Sequence, residues 1–546
     1  MFHRHWREQA LRSLDEPFDV VVIGGGITGC GVLMDAAQRG LRVLLVERQD
    51  IASGTSSRSS KLIHGGLRYL KEMQFRVTRL ACRERDRMLS LNPHLVRPIR
   101  FVYPANRGDK TPGWKVDLGL WMYDRLTNRP RKHSHLASDE LQAMTPGLRD
   151  DDLDRALAYT DAMTDDAQLT LAVAATGFAY GGLMLTRAEV LEATTDFGGR
   201  VDGIVLRDLE SQKTATIRAG LVVNATGHWV DRLRHRFGFG GSTVRPSRGT
   251  HIVLPVDRLP VTAAVTLPSP DDGRPVFVIP HPEGVLTGTT DIYHDGSLTD
   301  PRPTREEVEY LLRTLAAHFP GRDIVAADLV GAFAGLRPIL DSPSDNPSEA
   351  SREEAIWEEN GLLSVAGGKL TTWRPTAEAV VDEALDHLPE ERARRAAPCH
   401  TAGTPLVGLA PPDLAERLER VAGVPSVTAA ALARRLRALA WTAPQMARSA
   451  EELAPIAGTE DLSAAELRIH LTFGAVLHLE DLLLRRVRVG LWRPDDVAGL
   501  LPALEPTCRK ELGWDGGRWD REATSCLAAV EAWSPAGVER QLDADS

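Results

Sequence analysis

The chain has 546 residues, of which 43% are hydrophobic and 26% are charged, and its formal net charge is −10. This length predicts about two to four domains around a sizeable core. The acidic balance argues against a nucleic-acid-binding protein, and no apolar run is long enough for a membrane-spanning helix.

The five cysteines form no CxxC pair and no Cys/His set with the spacing of a zinc site. Neither a disulfide framework nor a structural metal is therefore predicted. The first 16 residues carry three arginines but no apolar segment typical of a secretory signal. We therefore expect a reducing, cytoplasmic location.

The N-terminal residues also have the spacing of a short amphipathic helix, with Phe2, Trp6, Ala10 and Leu14 four apart. We expect this helix to pack against its own protein. A helix that lies on a membrane surface is the alternative.

Residues 18–46 have the pattern of a βαβ unit. Continuous apolar runs at 18–23 and 42–46 predict strands buried on both faces, with a helix over 29–39 between them.

The turn between the first strand and the helix reads GGGITG and fits the G-x-G-x-x-G pattern. Gly24 permits the tight turn, Gly26 lets the backbone approach a pyrophosphate, and Gly29 allows close packing of the helix on the strand. Glu47, at the end of the second strand, is suited to accept hydrogen bonds from ribose hydroxyls and disfavours a 2′-phosphate. The unit therefore predicts a site for the ADP half of a dinucleotide, with NADP the least favoured.

A hydroxyl-rich loop follows this unit at residues 52–60 and leads into His64, Gly65 and Gly66. Such a loop is unusual after a simple NAD domain. It suits an FAD molecule that extends past its pyrophosphate, with hydroxyl and backbone N–H groups lining the ribityl chain. The sequence therefore predicts FAD; a plain NAD dehydrogenase is the alternative, and it would lack the visible absorbance of a flavin.

Short strand candidates follow at 203–207, 221–224, 251–254, 276–279, 285–288 and 362–365. From about residue 376 helical spacing dominates, notably at 414–421, 429–440, 464–484 and 497–504. We predict an α/β fold in which a discontinuous, Rossmann-like FAD-binding domain (17–395) is interleaved with a mixed-sheet substrate (cap) domain at about 95–215 and 245–335. An all-α C-terminal domain is expected at 400–546.

The segment 19–70 closely resembles the FAD-dependent glycerol-3-phosphate dehydrogenases, a branch of the glycine-oxidase/D-amino-acid-oxidase-type flavoproteins. The likeness covers nearly the whole chain. Its most specific motifs are KLIHGGLRYL at 61–70 and GGKLTT at 367–372; others are MYD at 122–124, VNATG at 223–227, GTTD at 288–291 and GLRP at 335–338.

The resemblance implies oxidation of sn-glycerol 3-phosphate to dihydroxyacetone phosphate, by hydride transfer to flavin N5, with a quinone as the final acceptor. An oxidase that uses oxygen and releases peroxide is the nearest alternative. A non-catalytic flavin- or NAD-binding module is another class. A quinone acceptor also implies peripheral contact with the inner face of the cytoplasmic membrane, for which the basic N-terminus and Arg485, Arg486 and Arg488 are candidate lipid-facing groups. The sequence does not determine the oligomeric state, and a homodimer is one possible assembly.

Candidate site residues follow from the motifs. Cofactor contacts are expected from Gly24, Gly26, Gly29, Glu47, Thr55, Ser56, Ser57, Ser60, Lys61, Leu62, His64, Gly65, Gly66, Ala225, Thr226, Gly227, Gly368, Lys369, Leu370 and Thr371. The resemblance implies that Arg68, Arg337 and Arg352 lie in the active-site pocket, with Tyr69 and Lys369 nearby, and we expect these residues to bind the substrate. A planar guanidinium suits its phosphate; a surface ion pair is the alternative for Arg352.

The chemistry needs a base for the substrate hydroxyl proton. A neutral imidazole works well near pH 7, so His64 is the candidate general base, with His251 as the second candidate. Arg337 and Lys369 complete the predicted catalytic set.

Overall fold

The computed structural model describes residues 2–67, 74–126, 132–341, 354–534 and 537. The strands are β1 (Phe18–Ile23), β2 (Val43–Val46), β3 (Leu62–Ile63), β4 (Val96–Asn106), β5 (Ser134–His135), β6 (Leu153–Thr164), β7 (Leu183–Leu185), β8 (Ala188–Thr195), β9 (Val201–Asp208), β10 (Thr214–Asn224), β11 (Ser247–Leu254), β12 (Ala264–Pro268), β13 (Pro275–His281), β14 (Gly284–Gly288), β15 (Ile292–Tyr293), β16 (Gly331–Arg337), β17 (Ala355–Glu359) and β18 (Leu362–Ala366).

The α-helices are α1 (Trp6–Arg12), α2 (Ile27–Gln38), α3 (Phe75–Leu91), α4 (Gly113–Leu126), α5 (Ser138–Met144), α6 (Asp166–Ala179), α7 (Val230–Arg236), α8 (Arg305–His318), α9 (Trp373–Asp386), α10 (Glu390–Arg395), α11 (Leu414–Ala422), α12 (Ser426–Arg435), α13 (Ala443–Met446), α14 (Ala464–Phe473), α15 (Val489–Trp492), α16 (Val497–Leu512) and α17 (Gly516–Glu531).

The first sheet is built around the predicted βαβ unit. Its strand order is β17-β18-β10-β1-β2-β7, and β1 pairs in parallel with both β2 and β10. The helix α2 packs on this sheet between α6 and α9. The carboxyl ends of these parallel strands meet at one edge, where an open α/β sheet binds its ligand.

The predicted cap segment at about 95–215 does not coincide with the part of the chain that enters the second sheet. The strand β7 pairs with β2, and β8 and β9 extend the first sheet from β10. Alternating hydrophobicity predicts a strand that is buried on one face, but it does not say which sheet the strand joins. The strands within 183–208 therefore belong to the first sheet, although the sequence had placed them in the cap.

The second sheet has the order β15-β11-β14-β13-β12-β4-β6-β3, with β16 paired to β11 and β5 to β6. Its long antiparallel pair, β4 with β6, supplies one wall of a deep cavity. The short strand β3 comes from the Ser-rich segment after β2 and pairs with β6. The loop that leaves the first sheet is thereby fixed to the second.

The C-terminal helices pack on the second sheet. Leu467, Leu483 and Trp492 share one apolar cluster with Phe101 and Phe333. The predicted continuous helix at 464–484 was wrong in its length, because α14 ends at Phe473 and a π-helical segment (Asp481–Arg486) follows.

The amphipathic N-terminal segment packs on its own protein, as expected. Phe2, Trp6, Ala10 and Leu14 are all buried. Among the described residues, no helix is both long and apolar enough to cross a bilayer.

The three basic residues Arg485, Arg486 and Arg488 do not face solvent or lipid, which corrects the sequence-based expectation. All three are buried, and they pair with Asp50 and Asp166 inside the protein. The close spacing of these three arginines in the sequence resembles that of a basic surface patch. They belong, however, to a helical stretch that is buried on both sides, so their side chains do not reach the surface.

Candidate active site

The dinucleotide loop has the close backbone contacts that its glycines predict. Gly24 has a φ of +114°, and a Cβ there would lie 2.6 Å from the carbonyl oxygen of Ala225. A Cβ on Gly29 would clash with the carbonyl oxygen of Gly24, so α2 could not pack this closely on β1 with any larger residue. The helix α2 begins after Gly26, and Gly26, Ile27 and Thr28 line the cavity at this helix N-terminus, which is a favourable position for an anion.

Glu47 holds this loop in place. Its carboxylate accepts hydrogen bonds from the backbone N–H of Gly25 at 2.6 Å and of Gln49 at 2.7 Å. Burial raises the pKa of Glu47, against the lowering effect of these two hydrogen bonds. The side chain lines the cavity, as a ribose ligand requires.

One cavity of about 1570 Å³ connects the dinucleotide loop to both sheets. That volume exceeds the range of roughly 300–1,000 Å³ found for ordinary small-molecule pockets, and it fits an extended dinucleotide together with a small substrate. Most of the predicted cofactor residues line it, namely Gly24, Gly26, Glu47, Thr55, Ser56, Ser60, Leu62, His64, Gly66, Ala225, Thr226, Gly227, Gly368, Lys369, Leu370 and Thr371.

Four predicted cofactor residues lie behind the cavity wall: Gly29, Ser57, Lys61 and Gly65. Gly29 packs α2 on β1. The Lys61 ammonium is buried and forms an ion pair with Asp166 at 2.7 Å. Burial and the neighbouring Arg488 lower the pKa of Lys61.

Asp166 is the centre of a buried ion cluster that supports the Ser-rich loop from behind. It accepts hydrogen bonds from Lys61, from Arg488 of the C-terminal domain and from Ser59. Burial raises its pKa, but Lys61 and Arg488 outweigh burial and hold the pKa below its ordinary value. The C-terminal domain therefore contributes directly to the position of this loop.

The second Gly-rich loop brings two distant segments of the chain together. Gly367 and Gly368 have φ values of +80° and +79°, and they lead into Lys369 after β18. The Thr371 hydroxyl accepts from the His64 backbone N–H at 3.2 Å and donates to the His64 carbonyl at 3.3 Å. His64 and Lys369 thus line one cavity, although 305 positions separate them.

Arg337 ends β16 and also lines the cavity. Its guanidinium donates to the carboxylate of Asp291 at 3.0 Å and to the hydroxyl of Thr289 at 2.9 Å. Gly249 on the adjacent strand leaves space for it, because a Cβ there would clash with the guanidinium. The side chain is thereby held in a fixed direction.

The two histidines have different surroundings. His251 is buried, stacks on Phe333 at 5.0 Å and shares a hydrogen bond of 2.8 Å with Ser60. Burial, with Arg337 and Lys61 as further causes, lowers the pKa of His251 to about 3. His64 is only partly buried, at the end of β3. His251 is therefore a poor proton acceptor at neutral pH, which leaves His64 as the candidate base.

A buried polar cluster behind His64 was missed in the sequence. The carboxylate of Asp161 accepts from Arg85 at 2.5 Å and from the Tyr123 hydroxyl at 2.8 Å. The Gly65 N–H donates to that hydroxyl at 2.8 Å. Although burial lowers the pKa of Arg85, Tyr123 and Asp161 raise it above its ordinary range. The available signal was that Arg85 falls on the apolar face of α3, with Cys82 and Met88.

Three of the predicted substrate residues, Arg68, Tyr69 and Arg352, lie outside the described residues. Within the described part of the chain, no group of His, Cys, Asp and Glu side chains is arranged to hold a metal ion.

A G-x-G-x-x-G turn, an acidic residue after β2 and a second Gly-rich loop on a shared cavity define a dinucleotide-dependent oxidoreductase. Residues 19–383 match the family model for FAD dependent oxidoreductases, and residues 399–518 match the C-terminal domain of alpha-glycerophosphate oxidase.

Comparison with known relatives identifies the family within this class of oxidoreductases. The chain is 36% identical over 535 residues to glycerol-3-phosphate dehydrogenase 2 of Mycobacterium tuberculosis, covering 95% of this chain and 88% of the relative. It is 37% identical over 407 residues to the aerobic glycerol-3-phosphate dehydrogenase of Staphylococcus saprophyticus, covering 74% of this chain and 73% of the relative. The chain therefore belongs to the FAD-dependent glycerol-3-phosphate dehydrogenase family.

Solved structures agree with this assignment. The crystal structure of the glycerol-3-phosphate dehydrogenase from Bacillus halodurans, complexed with FAD, superposes with a TM-score of 0.79 at 28% identity and covers 98% of both chains. The L-α-glycerophosphate oxidase from Mycoplasma pneumoniae shares the fold, with a TM-score of 0.54 at 19% identity over 68% of this chain and 95% of that one.

Proposed function

We propose that this protein binds FAD in the cavity and oxidises sn-glycerol 3-phosphate to dihydroxyacetone phosphate. The observation that carries the proposal is that His64, Arg337 and Lys369 line the same cavity as the dinucleotide loop. The names of the relatives support the same substrate.

The side chains have distinct roles in this proposal. Arg337 and Lys369 bind the phosphate of the substrate, because a planar guanidinium matches two phosphate oxygens and an ammonium adds charge. His64 accepts the proton of the C2 hydroxyl as the C2–O bond becomes a carbonyl. When bound, FAD supplies the acceptor for the C2 hydride at N5. Arg337 is oriented by Asp291 and Thr289, so it meets the phosphate without reorganisation.

The decisive experiment mixes the purified yellow protein anaerobically with sn-glycerol 3-phosphate and follows the flavin absorbance. We expect bleaching with the wild type, slowed by about 100-fold or more in Arg337→Met, because the main phosphate ligand is lost. Arg248→Met is the matched control, since Arg248 pairs with Glu307 away from the cavity. Bleaching by inorganic phosphate alone, or none with the substrate, would reject the proposal.

We also propose a quinone as the electron acceptor. The alternative is an oxidase that passes electrons to oxygen. Stopped-flow reoxidation of the reduced protein separates the two: slow reoxidation in air and fast reoxidation by a quinone analogue support the dehydrogenase, whereas rapid peroxide release supports the oxidase.

A further inference from the structure

Two cations from distant parts of the chain meet at the turn between β12 and β13. The ammonium of Lys110, in the loop before α4, donates to the backbone carbonyl of Asp272 at 3.1 Å. The Arg274 guanidinium donates to the carboxylate of the same residue at 2.6 Å. Gly273 has a φ of +77°, and a Cβ there would lie 3.1 Å from the Cδ of Lys110. The glycine therefore lets the lysine side chain lie across the turn.

The side chain of Arg274 is fixed before any ligand arrives. The Asp272 carboxylate also accepts from the Arg274 backbone N–H at 2.9 Å and from the Tyr310 hydroxyl at 2.9 Å. The Arg274 guanidinium lies 5.7 Å from the centroid of the Tyr310 ring. Because the turn, the carboxylate and the ring hold the guanidinium together, its direction is set by the protein.

Arg274 also connects this turn to Arg337, the proposed phosphate ligand. Its guanidinium donates to the backbone carbonyl of Asp291 at 2.8 Å, and the Asp291 carboxylate accepts from Arg337 at 3.0 Å. Two guanidinium groups thus bond to one residue, and all three residues line the same cavity. Lys110 is exposed, whereas the side chains of Arg274, Arg337 and Asp291 are 31%, 24% and 7% exposed. These contacts therefore lead from the protein surface into the cavity.

The charges on this side of the cavity favour an anion. The segments 101–122 and 266–277 contribute four charged residues to the cavity lining, namely Lys110, Lys115, Arg274 and Asp272. Three cations thus face one carboxylate, on a protein whose net charge is −10. A cleft lined by an excess of one sign raises the local concentration of a ligand of the opposite sign.

We propose that Lys110 and Arg274 form an entry site for a phosphate dianion, from which the substrate passes to Arg337. A phosphate monoester carries nearly two negative charges at neutral pH. The ammonium of Lys110 is a flexible point charge at the surface. The guanidinium of Arg274 binds Asp272 and Asp291 through two of its nitrogens, and its Nη2 has no hydrogen-bond partner among the described residues. This inference rests on the proposed function for the identity of the ligand, and it adds the route by which that ligand enters.

The competing explanation is a purely structural role for Arg274, which would hold the Asp291 carbonyl and thereby orient Arg337. An entry site needs the charge of Arg274, and it acts also through Lys110, whose hydrogen bond goes to Asp272 rather than to Asp291. A structural role needs the hydrogen bonds of the guanidinium and does not depend on ionic strength. The two explanations therefore predict different variants and different salt effects.

The experiment measures how fast dihydroxyacetone phosphate binds to the oxidised, FAD-loaded protein, from the change in flavin absorbance in stopped flow. This ligand is already a ketone, so no hydride transfer follows its binding. At low ionic strength we expect Lys110→Gln/Arg274→Gln to lower the association rate constant about tenfold, because electrostatic steering by a charged cleft is lost. At 1 M salt the difference should vanish, because the Debye length falls to about 3 Å.

Arg313→Gln is the matched control. Arg313 pairs with Asp271 of the same turn at 2.8 Å, and it is not one of the residues that line the cavity. Its replacement removes one positive charge, as each single change does, and should leave the association rate constant unchanged within about twofold. Arg274→Lys keeps the charge but loses the guanidinium hydrogen bonds, so it should retain most of the rate constant that Arg274→Gln loses.

Flavin absorbance and the melting temperature verify that each variant is folded. If Arg274→Gln does not fold, Lys110→Gln alone decides the matter, with an expected loss of about threefold. Equal association rate constants for wild type and the double variant at low ionic strength overturn the proposal. A loss that salt does not alter and that Arg274→Lys does not restore also overturns it, because it shows a structural role. If the substrate does not bleach the flavin of the wild type, the proposed function fails instead, and the same association experiment with inorganic phosphate still tests the entry site.

Discussion

Replacing Asp166 by Asn tests whether the buried ion cluster holds the Ser-rich loop. Asp166 is fully buried and accepts hydrogen bonds from Lys61 at 2.7 Å, from Arg488 at 2.9 Å and from the Ser59 hydroxyl at 2.7 Å. Asparagine keeps the size of the side chain but removes its charge. Two buried cations then face an uncharged amide.

The expected cost follows from that uncompensated charge. Breaking a buried ion pair by removing one partner costs about 3–5 kcal/mol. For a domain of about 150–250 residues, each kcal/mol lowers the melting temperature by roughly 2–4 °C, so we expect a fall of about 10 °C. Combining Arg488→Met with Asp166→Asn removes one of the two stranded cations, so the double variant should cost less than the two single changes added together.

The assay is thermal unfolding followed by flavin release, with the neighbouring change Asp165→Asn as the control. Asp165 caps α6 and lies near Arg488, but it is more exposed, and asparagine caps a helix equally well. We expect the control to cost less than about 1 kcal/mol. Because Lys61 and Arg488 hold the pKa of Asp166 below its ordinary value against burial, the stabilisation is present at neutral pH and lost as the pH falls. If Asp166→Asn costs no more than its control at pH 7, the cluster does not support the loop.

Two further substitutions test the contact between the C-terminal domain and the first sheet, made by His478, and the cofactor site, at Glu47. Burial lowers the pKa of His478, but its hydrogen bonds to Glu210 and Glu522 outweigh this and raise the pKa from 6.5 to about 9. The charged His478 therefore stabilises the folded protein by about 3 kcal/mol below pH 6.5, and this stabilisation is lost as the pH rises through 9. In urea titrations, the difference in unfolding free energy between wild type and His478→Gln should therefore shrink from pH 6 to pH 10. A pH-independent difference would count against this pairing. Glu47→Gln keeps one acceptor but loses the charge, and we expect the dissociation constant of FAD to rise about tenfold or more in fluorescence titrations, with kcat at saturating FAD little changed.

The sequence predicts those parts of the site that depend on local pattern. Continuous apolar runs locate β1 and β2 with α2 between them, and Gly24 and Gly29 have to be glycines because the backbone of Ala225 and of Gly24, respectively, approaches them closely. The same local reasoning places Lys369 after a strand and before a helix. That the dinucleotide loop and Lys369 line the same cavity follows from the family likeness, not from sequence spacing alone.

What sequence reasoning could not provide is the direction of a side chain and the sheet that a strand joins. Lys61 belongs to a motif that suggests a cofactor contact, yet its ammonium points to Asp166 because that carboxylate is the nearest buried counter-charge. Arg83 and Arg85 are two positions apart on α3, so one is exposed and the other is buried against Asp161. The apolar face with Cys82 and Met88 indicates that Arg85 is the buried one, but only the packing of α3 on β6 shows that Asp161 is its partner.

The segment that carries His64 is held from three independent directions. Asp166, with Arg488 of the C-terminal domain, binds the loop before β3; Tyr123 of α4 binds the Gly65 N–H; and Thr371 binds both backbone groups of His64 from the second Gly-rich loop. The contacts of this segment with Tyr123, Asp166 and Thr371 span 58, 107 and 307 positions of the chain, so none forms by local folding. His64, the proposed general base, is held in its observed position only when both sheets and the helical domain have packed, and this gives the C-terminal domain a direct part in assembling the proposed active site.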